Sequence, residues 1–473
     1  MISFLLSLLA LVAGYIIYGK FVEKTFGVDD NIKTPAETMQ DGVDFVPMSW
    51  PKIFLIQFLN IAGLGPIFGA ISGALWGPAA FLWIVFGCIF AGAVHDFFTG
   101  ILSMRNKGAN VPELVGKYLG EKVKKIMVVF SVILLILVGV VFLTGPADLL
   151  HTLTGLSRNT FIVIITIYYI LATILPIDKI IGKIYPLFGC CLLIMAIGIG
   201  FGITTQGYTI PEIQFFNFHP NGVPIFPYLF ITIACGAISG FHATQSPIMA
   251  RCVKKESEAR KIFYGAMITE GVIALIWAAA AMAFFGGSEG LQAAISNGGP
   301  AGVVNTISNT VMGKIGAVLA ILGVVACPIT SGDTAFRSAR LIIADHINLK
   351  QEQIGNRYKI AIPMFAVGIA LTFIDFTVIW RYFSWANQTL AMIMLWAAAS
   401  YMVKVNKNHW ICSIPAVFMS AVTSAYILQA PEGFRISASV SNIVGIIFAL
   451  VLFGVFLNYT RKSQKEDSLE FNK

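Results

Sequence analysis

"FGAISGALW" (68–76) and "CGAISGFHA" (235–243) carry the same five residues, GAISG, each inside a long apolar stretch. The first copy follows "GLGP" (63–66). Glycine and proline cost a helix interior roughly 1 and 3 kcal/mol relative to alanine. Two such interruptions inside segments built to be helical call for a use, and that use decides how the chain is read.

The apolar setting is set by composition. Hydrophobic residues make up 57% of the 473-residue chain and charged residues 12%, against about 25% charged in soluble domains. Mean hydropathy is +0.80. Apolar runs of about 20 residues, the length that crosses ~30 Å of hydrocarbon, recur from end to end. The chain therefore reads as an all-α polytopic membrane protein with the lipid bilayer as its surroundings. The net charge of +8 does not point to nucleic acid, because the basic residues sit between apolar runs, as membrane orientation requires. The cysteines Cys88, Cys190, Cys191, Cys235, Cys252, Cys327 and Cys412 lack metal-site or disulfide spacing and read as small reduced packing residues. No resident cofactor is expected.

About thirteen spans are expected, near 2–19, 52–76, 79–103, 124–143, 160–178, 184–205, 226–248, 260–285, 314–336, 358–377, 382–403, 409–429 and 437–459. The run 2–19 has no preceding basic residue or clear cleavage site and is followed by Lys20 and Lys24; it reads as a first helix, not a removable leader. Of the 32 lysines and arginines, about 28 fall in alternate connections and about 4 in the others, which by the positive-inside rule puts the N-terminus outside and the C-terminus in the cytoplasm of a plasma membrane. "NVPELVGKYLGEKVKK" (110–125) reads as a short interfacial helix, and "GLQAAISNGGPAGVVNTISNT" (290–310) as a re-entrant piece, a cap over the outer mouth, or a surface loop.

The two GAISG segments are the second and seventh spans, five apart, and so run in opposite directions. Two groups of five helices with broken first members imply an inverted-topology repeat, and Gly/Pro-interrupted spans in corresponding positions point to a transporter's binding site. Unwinding at 63–66 and 236–240 would expose carbonyls suited to a cation and helix N-termini suited to a carboxylate. The chain divides into a first helix and linker (1–50), a first core repeat (51–205), a second (206–405), and two peripheral helices with a tail (406–473).

"NIAGLGPIFGAISGALWGPAAFLW" (60–83), "GAVHDF" (92–97), "GAISGFHATQSPIMARC" (236–252), "CPITSGDTAFRSARLIIAD" (327–345) and "RYFSWANQTLA" (381–391) resemble the carbon starvation protein A family over nearly the whole chain. The resemblance implies membership of the amino acid–polyamine–organocation superfamily. It also implies a LeuT-like five-plus-five core in spans two to eleven, and import of peptides or, in some members, of pyruvate with protons.

Ionised groups inside a membrane are costly, roughly 2.5–3.5 kcal/mol on insertion scales, so each is a candidate. His95, His242 and Asp333 lie at a shared depth of roughly 24–27 Å from their outer ends, with Asp96 beside His95. Ser239, His242, Thr244 and Gln245 either line the unwound centre and bind substrate or cap freed backbone. Asn60, Gly63, Gly65 and Ser72 on the second span, and Asn387 and Gln388 on the eleventh, are the remaining substrate candidates; Arg381 could draw in an anion. The resemblance implies that the helix of Ser331, Asp333 and Thr334 faces the inner part of the broken first core helix, where several superfamily members hold a coupling sodium ion; hydroxyls and a carboxylate suit such a hard cation. Asp333 could instead carry a proton or pair with Arg337. His95, Asp96 and Glu270 either relay a proton or make polar helix contacts. These residues describe a secondary transporter of a small molecule, driven by protons or sodium, with no phosphate-cradling loop for direct use of ATP. The alternative from a different class is a membrane-embedded metal-binding protein using His95, Asp96, His242 and Asp333.

Overall fold

The protein is described by a computed structural model. It describes residues 1–42, 44–173, 177–351 and 353–470, with side chains outside 177–186 and 464–470. The ends of the expected fifth span (174–176) and of the tail (471–473) lie outside the described residues.

Helix starts and stops follow local chemistry. Helix α1 (Ile2–Phe26) ends at Gly27, whose left-handed φ of 74° carries no steric penalty for a residue without a Cβ. The second expected span is two helices, α2 (Trp50–Ile61) and α3 (Gly65–Trp76), bent by 55°. Proline opens α2 at Pro51 and stands early in α3 at Pro66, where its missing N–H loses no helical bond. Helix α4 (Ala79–Arg105) is followed by α5 (Val111–Leu119). The expected interfacial helix stops there, since Gly120 at φ 98° separates it from the long α6 (Glu121–Thr154). Then come α7 (Arg158–Ala172) and α8 (Ile177–Thr205). The seventh expected span is again two pieces, α9 (Tyr228–Thr232) and α10 (Gly240–Ala250).

Helix α11 (Glu256–Phe284) precedes α12 (Ser288–Ala320), which kinks at Gly299 and Gly313 and runs through one π-helical turn into α13 (Cys327–His346). The stretch 290–310 is therefore helical. Helices α14 (Ile354–Leu371), α15 (Phe376–Lys404), α16 (Trp410–Gln429) and α17 (Ala438–Glu470) complete the chain. Asp375 caps α15 by accepting the Thr377 N–H at 2.9 Å.

Among the described residues, eight helices are long and apolar enough to cross a bilayer, and the bent α2–α3 pair makes nine. The other four expected spans are helical but shorter, split or more polar: α7 has 15 residues, α9 and α10 have 5 and 11, and α14 and α15 carry Arg357, Lys359 and Arg381. Burial sorts the helices into a centre and a rim. The apolar windows of α4 and α11 are 83% buried, whereas those of α1 and α17 are 28% and 22% buried. A helix that is apolar but unburied faces lipid.

The connections segregate to two ends. At one end Arg105 pairs with Glu256 at 2.7 Å, reaches Tyr401 Oη and the Gly27 carbonyl, and Asn110 reaches Asp345. At the other, the Met1 amino group meets Glu212, Trp76 Nε1 reaches the Val223 carbonyl, and Arg381 meets Glu432. The lysine- and arginine-rich connections thus share one end with one another.

Candidate functional site

Both interruptions are real, and they meet. Helix α2 stops at Ile61, residues 62–64 are not helical, and α3 restarts at Gly65; the second break covers 233–239. A Cβ built on Gly65 would lie 2.1 Å from Cys235 Cβ, so only glycine lets the first break abut the second. The break in the second span lies upstream of its GAISG, which is itself helical at 69–73. The expected unwinding at 63–66 is thus shifted to 62–64. In the seventh span GAISG is the break down to Ser239, and Gly240 opens α10.

The backbone groups freed by unwinding are bonded to neighbouring helices rather than left open to cargo. Ser331 Oγ on α13 donates to the Leu59 carbonyl at 3.1 Å, and Cys327 Sγ approaches the carbonyls of Leu59 and Ala62 at 3.5 and 3.8 Å. On α15, two consecutive residues hold the two ends of the second break. Asn387 Oδ1 accepts the Phe241 N–H of α10 at 2.6 Å, and Gln388 Nε2 donates to the Phe230 and Ala234 carbonyls at the end of α9, both at 3.2 Å. Ser239, the N-cap of α10 with extended backbone, bonds Asn387. Unpaired backbone groups inside a membrane cost several kcal/mol each, which accounts for this ring of side chains.

Four ionisable side chains from three helices form one buried chain. Asp96 on α4 places Oδ1 2.8 Å from His95 Nδ1 and Oδ2 2.9 Å from His242 Nδ1 on α10. His242 Nε2 lies 3.3 Å from Glu270 Oε2 on α11, close enough for an ion pair but not aligned as a hydrogen bond. All four side chains are fully buried. Helix α4 reaches the break because Gly92 leaves room for the Ala237 carbonyl, which a Cβ would approach to 2.2 Å. Buried charges persist only when paired, and here each carboxylate is within reach of an imidazole.

Around this chain are buried polar atoms without a hydrogen-bond partner: both amide atoms of Asn60, Oε1 of Gln57 and of Gln245, Nε2 of His95 and of His242, and both Glu270 oxygens. Gln57 Nε2 donates to Ser246 Oγ at 3.2 Å, tying α2 to α10. A separate cleft of about 220 Å³ is lined by Ser72, Trp76, Thr232, Pro300, Trp380 and Arg381. Pro300 comes from α12, so the 290–310 stretch roofs this cleft.

The structure thus joins His95, Asp96 and His242, which the sequence grouped by depth and adjacency, to Glu270, which it left apart from His242. It parts Asp333 from them. Asp333 faces Arg337 at 3.9 Å on its own helix, so neither the shared-depth trio nor a metal set of His95, Asp96, His242 and Asp333 is assembled. Depth along a span was equal, but α13 turns this carboxyl toward α7, whose Ala172 carbonyl accepts from Arg337 at 3.1 Å. Thr244 and Thr334 hydroxyls bond carbonyls of their own helices, Phe241 and Ser331. Gln245 Nε2 donates to Thr244 Oγ1 at 3.0 Å. Gly63 faces the Phe142 ring rather than a cavity. Sequence reasoning missed Cys235 and Cys327. Their signal was position: one lies within the second break, the other one turn before Ser331.

Comparison with known proteins decides the family. The model of the family described as carbon starvation protein CstA matches residues 1–150, 146–294 and 285–426. The chain belongs to the CstA family. It is 48% identical over 352 residues to an uncharacterized membrane protein of Haemophilus influenzae, covering 63% of this chain and 95% of that one. It is 24% identical to a protein of Campylobacter jejuni named peptide transporter CstA, over 92% of this chain and 81% of that one. Among solved structures, a histidine-to-alanine mutant of the Eremococcus coleocola manganese transporter superposes with a TM-score of 0.56 at 14% identity, covering 93% of this chain and 99% of that one. MhsT in complex with L-phenylalanine gives 0.55 at 15% identity, over 86% and 98%. The fold of this CstA-family chain is therefore that of LeuT-type secondary transporters.

Proposed function

We propose that this chain imports small peptides or pyruvate across the plasma membrane by secondary active transport coupled to protons, as a scavenger under carbon starvation. On this reading thirteen spans cross the bilayer, with a five-plus-five inverted repeat in spans two to eleven. The N-terminus is outside, and the end carrying Arg105 and Glu256 faces the cytoplasm. The observation that carries the reading is the junction of two oppositely directed broken spans beside the His95–Asp96–His242–Glu270 chain. Unpaired atoms on Asn60, Gln57 and Gln245 next to that junction are groups that a polar solute can satisfy, since buried polar atoms in native proteins are normally bonded. Relatives named peptide transporters favour a peptide.

Entry is through the cleft of about 220 Å³ under α12, roughly seven water volumes at ~30 Å³ each, which suits a small solute. Arg381 at its rim, held by Glu432 through Nε, has its terminal guanidinium N–H groups to offer a carboxylate. A proton taken up between His242 Nε2 and Glu270 Oε2 lowers the negative charge of the chain by one and supplies the hydrogen bond these two atoms lack, joining α10 to α11; its release lets them part. Sodium is a second reading, favoured by the Leu59 and Ala62 carbonyls gathered near Ser331, an oxygen set that suits a hard cation.

Uptake in proteoliposomes tests this. Labelled dipeptides and pyruvate are compared under separate pH and sodium gradients. The expected result is accumulation of a dipeptide under an inward proton gradient, abolished in His242→Ala protein that remains monodisperse in detergent. Uptake indifferent to both gradients, or retained by His242→Ala, would sink the proposal.

A further inference from the structure

The proton reading leaves Cys235 without a task. Its thiol, a ring nitrogen of His242 and a Glu270 carboxylate oxygen all lie within 4.8 Å of one another, and all three residues are buried. We propose that Cys235, His242 and Glu270 form a site for one borderline-soft divalent transition-metal ion of the Zn²⁺ class.

Three observations carry it. The donors are one sulfur, one nitrogen and one oxygen, the mixture such ions prefer over Mg²⁺ or Ca²⁺. The spacing is near that of a coordination shell. Tetrahedral ligands at about 2.0 Å (N, O) and 2.3 Å (S) from Zn²⁺ stand roughly 3.3–3.6 Å apart. The His242–Glu270 edge is already 3.3 Å, and the thiol, within 4.8 Å of its partners, must move inward by at most roughly 1.3 Å on the same bond lengths. The outer partners are in place as well. Asp96 holds His242 Nδ1 at 2.9 Å, which fixes the proton on Nδ1 and turns the free Nε2 pair toward the site, as carboxylates do behind metal-bound histidines. Asn387 Nδ2 donates to Cys235 Sγ from 3.4 Å, a contact that favours a thiolate, while the Ser239 hydroxyl, 3.5 Å from the sulfur, gives its proton to Asn387 Oδ1. His242 Nε2 and both Glu270 oxygens have no hydrogen-bond partner, so the nitrogen and oxygen ligands are not engaged elsewhere.

Binding displaces the Cys235 proton and any proton held between His242 and Glu270. The ion joins the second break to α11. If the transport reading holds, it locks the parts that must separate, and micromolar metal inhibits uptake.

Metal binding by purified full-length protein tests the site without reference to transport. Chelator-stripped protein in detergent is titrated with Co²⁺ by absorption and with Zn²⁺ by competition. The expected result is one ion per chain with a thiolate-to-cobalt charge-transfer band. Cys235→Ser removes the band and, like Glu270→Gln, weakens Zn²⁺ at least tenfold, while Cys412→Ser changes neither. Substoichiometric binding by folded wild-type protein, or a band and affinity unchanged in both Cys235→Ser and Glu270→Gln, would overturn the proposal. Loss of uptake competence alone would bear only on the transport reading.

Discussion

The two GAISG copies have one sequence and two structures. At 69–73 the pentapeptide is helical; at 236–239 it is unwound, and the helix resumes only at Gly240. The difference lies in what precedes each copy. Gly63 and Gly65-Pro66 take the break upstream of the first, and Pro66 sits where a restarting helix tolerates it. Nothing of that kind precedes Gly236, so the second copy is itself the interruption. Its serine, Ser239, becomes an N-cap bonded to Asn387, whereas Ser72 stays inside a helical turn at the cleft. A shared pentapeptide therefore marks neither a shared conformation nor the register of a repeat; the neighbours on α13 and α15 decide which backbone is held open.

Substitutions in the two copies should separate along this line. The largest effect is expected for Gly240→Val. A Cβ there lies 2.3 Å from the Asn387 carbonyl oxygen and 2.8 Å from the Ala391 nitrogen, which are backbone atoms that cannot turn aside. The cost should exceed the ~3 kcal/mol upper range of ordinary overpacking, with no monodisperse peak on size-exclusion chromatography. Asn387→Ala removes the acceptor of the Phe241 N–H and should cost about 2 kcal/mol, combining a lost cap and an unpaired buried donor. In the first copy Gly73→Ala meets only the Ile233 side chain, and a loss of about 1–2 kcal/mol is expected, read as a modest drop in thermal midpoint. Ser331→Ala, the counterpart of Asn387→Ala at the first break, still leaves Cys327 near the Leu59 carbonyl and should cost about 1 kcal/mol. Smallest is the serine pair: Ser239→Ala removes the hydroxyl bonded to Asn387 and is expected to lower stability by about 1 kcal/mol. Ser72→Ala should stay within about 0.5 kcal/mol while raising KM for uptake. Equal midpoints for the two serine variants would erase the contrast.

The sequence showed the broken spans because glycine and proline announce their own cost, and it showed His95, Asp96, His242 and Glu270 because charge in an apolar run is conspicuous. It did not show that these four join, since the joining depends on how α4, α10 and α11 rotate against one another. Asp333 illustrates the limit: residue counting gave its depth and, from the i, i+4 spacing, Arg337 as one of its possible partners, but only the packing of α13 decides for that pair over the cluster. Cys235 was passed over because a small apolar residue looks the same in sequence whether it packs or ligates. Asn387 and Gln388 were noticed as polar, yet their attachment to the break required knowing which helix lies beside it.

That attachment has a mechanical consequence. Asn387 and Gln388 are neighbours on one rigid rod, and each grips an opposite lip of the same gap. A tilt of α15 therefore pulls both lips together, and neither can swing alone without shedding its grip. Any hinge at 233–239 would therefore have to move together with α15 or break these bonds.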